Sequence, residues 1–185
     1  MKKDPQQQLT ISELREDDGP FPQLNYSYVT DKHYALHLSH DRESWHVELS
    51  LQRLSKSVSK SSMGSLFQDH VDEPRVFVAR IQGETVGWME LGLHRWNNRM
   101  RIWHLLVKEG QRRRGIGSRL IQHAVEVAKD TGVRMLVLET QSCNLPAVDF
   151  YLKHGFELLG LDTAAYSNED VAKGEVRLEF GRVIQ

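Results

Sequence analysis

Residues 107–120, VKEGQRRRGIGSRL, decide how the chain is read. The stretch leaves an apolar run at 102–107, passes through a polar turn carrying Arg112, Arg113 and Arg114, meets Gly115-Ile116-Gly117, and enters a helical pattern. A strand, a glycine turn and a helix N-terminus in that order present backbone N–H groups to an anion. Two glycines let a phosphate approach the backbone with no Cβ in the way, and the arginines add positive charge beside it. The stretch therefore reads as a site for a phosphate-bearing cofactor.

The pattern on either side sets the architecture. Leu120, Ile121, Ala124, Val125, Val127 and Ala128 form an apolar stripe at helical spacing, and Thr131-Gly132 ends it. The run at 133–138, VRMLVL, is the pattern of a short strand buried on both faces. A strand–helix–strand unit over 101–140 follows, and a right-handed crossover makes its strands parallel. Upstream, Val76, Val78 and Ile81 mark a strand, Gln82-Gly83-Glu84 a tight turn, and Val86, Trp88 and residues 89–93 its hairpin partner. Residues 94–99, HRWNNR, connect to the strand at 100–107, so three antiparallel neighbours are expected over 75–107. Downstream, a second helix starts around 142–146 with Asn144 as N-cap and Pro146 in the first turn, and ends at His154-Gly155. Residues 156–161 and 175–184 read as the last two strands, linked through 167–173.

The N-terminal part is less regular. Residues 1–8 are polar and expected to fray, residues 9–14 alternate as a short strand, and 16–22 read as a loop. Tyr34, Leu36 and Leu38, then Trp45, Val47, Leu49 and Leu51, predict a β-hairpin around 39–43. Residues 56–65, KSVSKSSMGS, read as a mobile loop, with Leu66-Phe67 re-anchoring the chain. The expected class is α/β (α+β): a mixed, mostly antiparallel central sheet flanked by helices, with a parallel strand–helix–strand cofactor unit, in one domain over 1–185.

Composition narrows the partners. The 185 residues suffice for one substantial core, and a formal charge of -1 gives no global pull toward nucleic acid or an anionic membrane. A basic cluster without interleaved aromatics is also a poor nucleic-acid signature. No apolar run approaches the ~20 residues of a membrane span, and MKKDPQQQ lacks the apolar core of a secretory signal. Cys143 is the single cysteine, so no internal disulfide forms, which suits a reducing cytoplasm. The nine histidines show no metal-ligand spacing, and no metal is expected.

Known phosphate loops can be compared in turn. A Walker A loop needs Gly-Lys-Ser/Thr, which is absent. The dinucleotide fingerprint needs a third glycine where Leu120 stands, and a parallel sheet before the turn. Arg112-x-x-Gly115-x-Gly117 followed by Ser118-Arg119-Leu120 instead resembles the acetyl-CoA pyrophosphate loop of the GNAT acetyltransferase superfamily. Residues 144–156, NLPAVDFYLKHGF, resemble that superfamily's second cofactor segment, N-x-x-A-x-x-F-Y-x-x-x-G-F, at the right separation. The resemblance covers about residues 75–180. Trp96-Asn97, the LETQ of 138–141 and the stretch from Leu161-Asp162-Thr163 through Tyr166-Ser167-Asn168 are further similar to streptothricin acetyltransferases.

The resemblance implies an acetyl-CoA-dependent N-acetyltransferase acting on a primary amine of a small molecule, most specifically a streptothricin-type antibiotic, by direct transfer through a tetrahedral intermediate. Other acceptors (a polyamine, an amino acid, a protein lysine) and a non-catalytic acyl-CoA-binding module stay open, as does a homodimer. Backbone N–H groups from Arg112 through Arg113, Arg114, Gly115, Ile116 and Gly117 to Ser118 would surround the pyrophosphate. The main chain of Leu105, Leu106 and Val107 would run along the pantetheine arm and polarise the thioester carbonyl near a strand bulge. Asn144 and Ala147 would touch the cofactor. Tyr151 would be the general acid, since a phenol with a pKa near ~10 stays protonated at neutral pH. Many relatives carry a carboxylate as base on the strand before the glycine loop, where this chain has Trp103 and His104. His104, Glu90, Glu139 or a chain of waters could remove the proton. Glu90, Glu139 and Asp162 could alternatively bind a cationic substrate. A covalent route through Cys143 lacks an identifiable partner histidine.

Overall fold

The computed structural model describes residues 9–185, so the segment expected to fray, 1–8, lies outside the described residues. In chain order the elements are β1 (Leu9–Leu14), β2 (Leu24–His40), β3 (Trp45–Gly64), β4 (Arg75–Ile81), β5 (Glu84–His94), β6 (Arg99–Val107), α1 (Ile116–Thr131), β7 (Met135–Gln141), α2 (Leu145–Lys153), β8 (Glu157–Asp162), α3 (Asp170–Lys173) and β9 (Arg177–Val183). Among the described residues no helix is long and apolar enough to cross a membrane.

The chain divides into two compact units. The first holds the chain through Tyr26, Met63–Val137 and Val183–Gln185; the second holds Ser27–Ser62 and Leu138–Arg182. Strands in the first unit follow the order β1-β4-β5-β6 and then the start of β7. β1, β4, β5 and β6 pair antiparallel. The expected parallel step comes next: Arg99, Met100 and Arg101 of β6 pair with Met135, Leu136 and Val137. The fold is thus the mixed, mostly antiparallel one that the residue pattern predicts.

Local chemistry explains the elements. Gln82 and Gly83 both take positive φ (52° and 83°), the conformation of a two-residue hairpin turn between twisted strands. The α1 stripe buries Ile116, Leu120, Ile121, Ala124, Val127 and Ala128, while Val125 is only half-buried. Gly132 at φ 72° closes the helix. Val133, read from the sequence as the start of the next strand, donates its N–H to Ala128 O at 3.3 Å. It therefore finishes the helix, and β7 begins two residues later. On one face of the sheet Leu24, Leu66, Val76, Val78, Trp88 and Leu106 form a buried cluster, with Leu14, Phe21, Tyr26 and Phe67 packed against it. Leu66-Phe67 re-anchors the chain as expected.

In the second unit the end of β7 is followed by β9 and β8, and β8–β9 pair antiparallel with an irregularity at 158–160. β2 and β3 form a separate two-stranded sheet. The segment 56–65, read as a mobile loop, is almost wholly strand, because β3 continues to Gly64. Its serines and lysines gave no apolar alternation to read. A strand on a two-stranded sheet needs only a partner backbone and tolerates polar side chains on both faces. Half-buried Leu54, Val58 and Lys60 supply intermittent contacts, and Lys60 pairs with Glu175.

Candidate active site

In the first unit the site is built on the β5–β6 ladder. Trp88 pairs with Leu106 and Glu90 with His104, after which the register shifts between Glu90 and Leu91, leaving Trp103 as the extra residue of a bulge. The bulge therefore precedes His104, two residues before the 105–107 stretch that the family resemblance sets near a bulge. Gly92 makes room for the bulged side chain: a Cβ there would lie 2.7 Å from Trp103 Nε1. Arg101 covers the indole at 4.7 Å.

Glu90 and His104 come together on the face carrying Trp88 and Leu106. The Glu90 side chain is fully buried, and its Oε2 lies 3.7 Å from His104 Nε2. Glu90 Oε1 accepts the Phe67 N–H at 2.7 Å, whereas Oε2 has no hydrogen bond among the described residues. Phe67 sits at φ 55°, a costly conformation for a side chain of that size, and the bond to Glu90 helps hold it. Burial pushes the Glu90 carboxyl above the usual range, and the Phe67 N–H pulls the other way. His104 Nε2 lies 3.1 Å from Ser65 O, and Nδ1 lies 2.8 Å from Tyr26 Oη. Burial lowers the His104 pKa; the Ser65 carbonyl opposes this and His70 adds to it.

The glycine turn follows. Lys108 N–H bonds Val86 O at 2.9 Å, a 3-10 turn spans Glu109–Gln111, and Arg112 Nε donates to Val107 O at 3.3 Å. Arg113 (φ 61°) and Gly115 (φ 81°) are both left-handed. Gly115 thus answers to backbone conformation, since a Cβ there would meet nothing within 4 Å. The first helical bond of α1 is Arg119 N–H to Gly115 O at 3.1 Å. The N–H groups of Ile116, Gly117 and Ser118 precede it, at the positive end of the helix. Arg113 and Arg114 are exposed, whereas the Ile116 side chain is buried in the core and can offer a ligand only its backbone. Past Arg101, β6 stays laddered to β5 as far as Val107, which leads into the turn. A strand leading through a glycine turn into a helix N-terminus suits a ligand that ends in phosphates.

The second unit carries the other nominated residues. Asn144 is the N-cap of α2 but makes no side-chain cap bond; its carbonyl takes the N–H groups of Ala147 and Val148, both at 3.0 Å. Tyr151 is half-buried, edge-on to Phe150 and Phe156. Its hydroxyl has no hydrogen bond among the described residues, and burial pushes its pKa up to about 12. Cys143 is buried, its thiol pushed up chiefly by burial. A thiol held protonated is a poor nucleophile, which weighs against the covalent route.

Glu139 and Asp162 converge, but on a cation of the protein itself: Arg177 lies 3.3 Å from Glu139 Oε2 and 3.2 Å from Asp162 Oδ2. Tyr166 stands by the same groups. Burial raises its phenol, Glu139 raises it further and Arg177 lowers it. Its N–H and the Ser167 hydroxyl both bond Asp170 at 2.8 Å. Tyr28 Oη donates to Gln141 Oε1 at 2.6 Å and lies 3.3 Å from Cys143 Sγ.

The profile of the acetyltransferase (GNAT) family matches residues 40–156. The streptothricin acetyltransferase of Escherichia coli is 33% identical over 141 residues, covering 74% of this chain and 80% of that protein. The chain belongs to the GNAT acetyltransferase family. That of Streptomyces lavendulae is 37% identical over 95 residues, 51% of this chain, so the match spans about half of that relative's length (50%). A candidate streptothricin acetyltransferase from Bacillus anthracis str. Ames, solved in complex with acetyl coenzyme A, superposes with a TM-score of 0.76 at 26% identity, covering 97% of this chain and 99% of that one.

Several residues of this GNAT chain escaped sequence reasoning. Tyr26, Ser65 and Gly64 surround His104, but they lie at 26 and within a serine-rich stretch with no motif. A Cβ at Gly64 would stand 2.6 Å from His104 Cε1, a close approach that sequence alone does not reveal. Arg177 carries no sequence signal of its own, since a charged residue in a final strand is indistinguishable from ordinary surface charge.

Proposed function

We propose that the chain is an acetyl-CoA-dependent N-acetyltransferase acting on a primary amine of a small molecule, of the streptothricin type, and that both units serve one acetyltransferase domain. The observation that carries this reading is β6 running through the left-handed Gly115 turn into the N-terminus of α1. It is supported by family membership and by the acetyl coenzyme A found in the Bacillus anthracis neighbour. The names of the Streptomyces and Escherichia coli relatives support the acceptor class.

Leu105, Leu106 and Val107 would hold the pantetheine arm through backbone amides, and Arg112 to Ser118 the pyrophosphate through N–H groups and charge. Asn144 and Ala147 would add contacts from α2. Bound acetyl-CoA supplies the acetyl group as a thioester with a thiolate leaving group. Tyr151, kept protonated by burial, is suited to giving a proton at the end of transfer. His104 is the group suited to receiving one, and Glu90, with no exposed surface, acts through His104.

Purified protein given acetyl-CoA and a panel of acceptors (streptothricin, a polyamine, an amino acid, a lysine peptide) should release free thiol fastest with streptothricin. No release above background with any amine overturns the reading; release with another amine alone overturns the acceptor. Tyr151→Phe should lower kcat by about 10²-fold, the scale of losing general-acid help, with acetyl-CoA affinity unchanged. Unchanged kcat removes Tyr151 from the role.

A further inference from the structure

Resting on the N-acetyltransferase reading, we infer that Tyr26 is the proton port of the site: its hydroxyl takes the proton of the acceptor ammonium while its own O–H proton passes to His104 Nδ1.

Hydrogen-bond chemistry sets the direction. The Ser65 carbonyl can only accept, so the 3.1 Å contact to His104 Nε2 places the ring proton there. Nδ1 then carries a bare lone pair, and the group 2.8 Å away that can donate to it is the Tyr26 hydroxyl. The imidazole is therefore held as a base whose lone pair faces one phenol, the two rings stacked at 5.9 Å. Gly64 packs over Cε1 and keeps the ring from swinging away.

Glu90 gives the arrangement its electrostatic sense. A fully buried carboxylate oxygen without a partner is costly, and Glu90 Oε2 is such an atom, 3.7 Å from Nε2. A proton arriving on Nδ1 makes the ring an imidazolium and gives Oε2 a positive neighbour. His70 opposes that charge, and Tyr26, Glu90 and His70 are the titratable groups facing His104 from β2, β5 and the segment after β3. Burial holds the His104 pKa below its ordinary 6.5, so the base is neutral at neutral pH.

Position links this pair to the reaction. His104 and Leu106 lie on the same face of β6, two residues and roughly 7 Å apart. Leu106 is in the stretch assigned to the thioester end of the cofactor. The step balances: one N–H bond of the ammonium breaks and one O–H bond forms on Tyr26, while the old O–H bond breaks and an N–H bond forms on Nδ1. The freed amine keeps its electron pair for the acetyl carbon.

The test is Tyr26→Phe, assayed with acetyl-CoA and streptothricin across the pH range ~6–10. We expect kcat/KM for the amine to fall at least ~10-fold at neutral pH, with acetyl-CoA affinity and melting temperature near those of the unsubstituted protein. The deficit should shrink as pH approaches the amine pKa near ~10, where the acceptor arrives already deprotonated. His104→Asn should show the same pH-dependent deficit, and the double variant should be no slower than the slower single one. A deficit constant across pH, additive losses, or no deficit overturns the port. If Tyr26→Phe melts early, the pH profile of His104→Asn decides in the same way. Turnover by the unsubstituted protein with unimpaired Tyr26→Phe sinks this inference alone; no turnover with any amine sinks the enzyme reading and the port together.

Discussion

Glu90 and the Glu139–Asp162 pair are the carboxylates the sequence nominates, and they end in opposite electrostatic situations. Glu90 is buried, uses one oxygen on the Phe67 N–H and leaves the other unpaired beside a neutral histidine. Glu139 and Asp162 stay partly exposed, and one guanidinium satisfies both. Burial without a cation raises a carboxyl's pKa and creates a group that responds to protons. Exposure beside an arginine gives an ion pair screened by solvent. The first arrangement stores chemistry; the second stores charge that an incoming cation would have to compete for.

Removing Glu90 should produce the largest effect. Glu90→Ala leaves the Phe67 N–H without its acceptor and opens a cavity, for a combined cost of roughly 2–4 kcal/mol. Melting at neutral pH should show it as a drop on the order of 10 °C. Glu90→Gln keeps an oxygen for Phe67 and should cost far less, so it isolates the charge. The Glu90 pKa is raised in the fold, so the folded state binds the proton more tightly. Its stabilisation is full below the ordinary 4.5 and is lost as pH rises through the folded value. His104 runs the other way: its pKa is lowered, so its contribution is lost as pH falls from 6.5 through the folded value. Glu90→Gln should flatten the loss on the alkaline side of 4.5 and leave the His104 component. A stability profile unchanged by Glu90→Gln would remove the contrast between the two carboxylate regions.

Gly64→Ala should have an intermediate effect. The new Cβ would stand 2.6 Å from His104 Cε1 and 3.2 Å from Nδ1. The ring is tied at both nitrogens and cannot give way cheaply, so a cost of about 1–3 kcal/mol is expected. Turnover should fall further than that cost implies, because the ring leaves its bond to Tyr26. Wild-type turnover in a destabilised Gly64→Ala protein would show that His104 placement is not what the buried region contributes.

What the sequence revealed follows from what each element needs. The helix α1, the buried strand after it and the 75–107 hairpins were legible because apolar periodicity and turn glycines act over a few residues. The glycine turn was legible as a strand-to-helix junction because the left-handed backbone there favours glycine at Gly115. The end of β3 was not, since its serines and lysines pair through backbone that any polar side chain permits. Nor were Tyr26, Ser65 and Gly64 as a shell around His104, because contacts 39 and 78 residues apart in sequence depend on tertiary packing. Glu139 and Asp162 were legible as carboxylates, but Arg177 beside them was not: the β8–β9 register sets Asp162 across from it, and Glu139 reaches it from β7.

Arg177→Gln should have the smallest effect on stability and the sharpest bearing on the comparison. Its ion pairs are between groups about a third or more exposed, and such pairs contribute ~0–1 kcal/mol. The melting temperature should therefore move by a few degrees at most. If Glu139 and Asp162 recognise a cationic acceptor, removing their internal cation leaves two carboxylates for it. KM for the acceptor should then fall several-fold at low salt, and the gain should shrink as ionic strength rises. KM for acetyl-CoA should not change, because the groups Arg177 pairs with, Glu139 and Asp162, are not assigned to the cofactor. A rise in acceptor KM would mean that the substrate meets Arg177 itself, and that the exposed carboxylates hold an arginine in place for an acceptor carrying an acidic or carbonyl group.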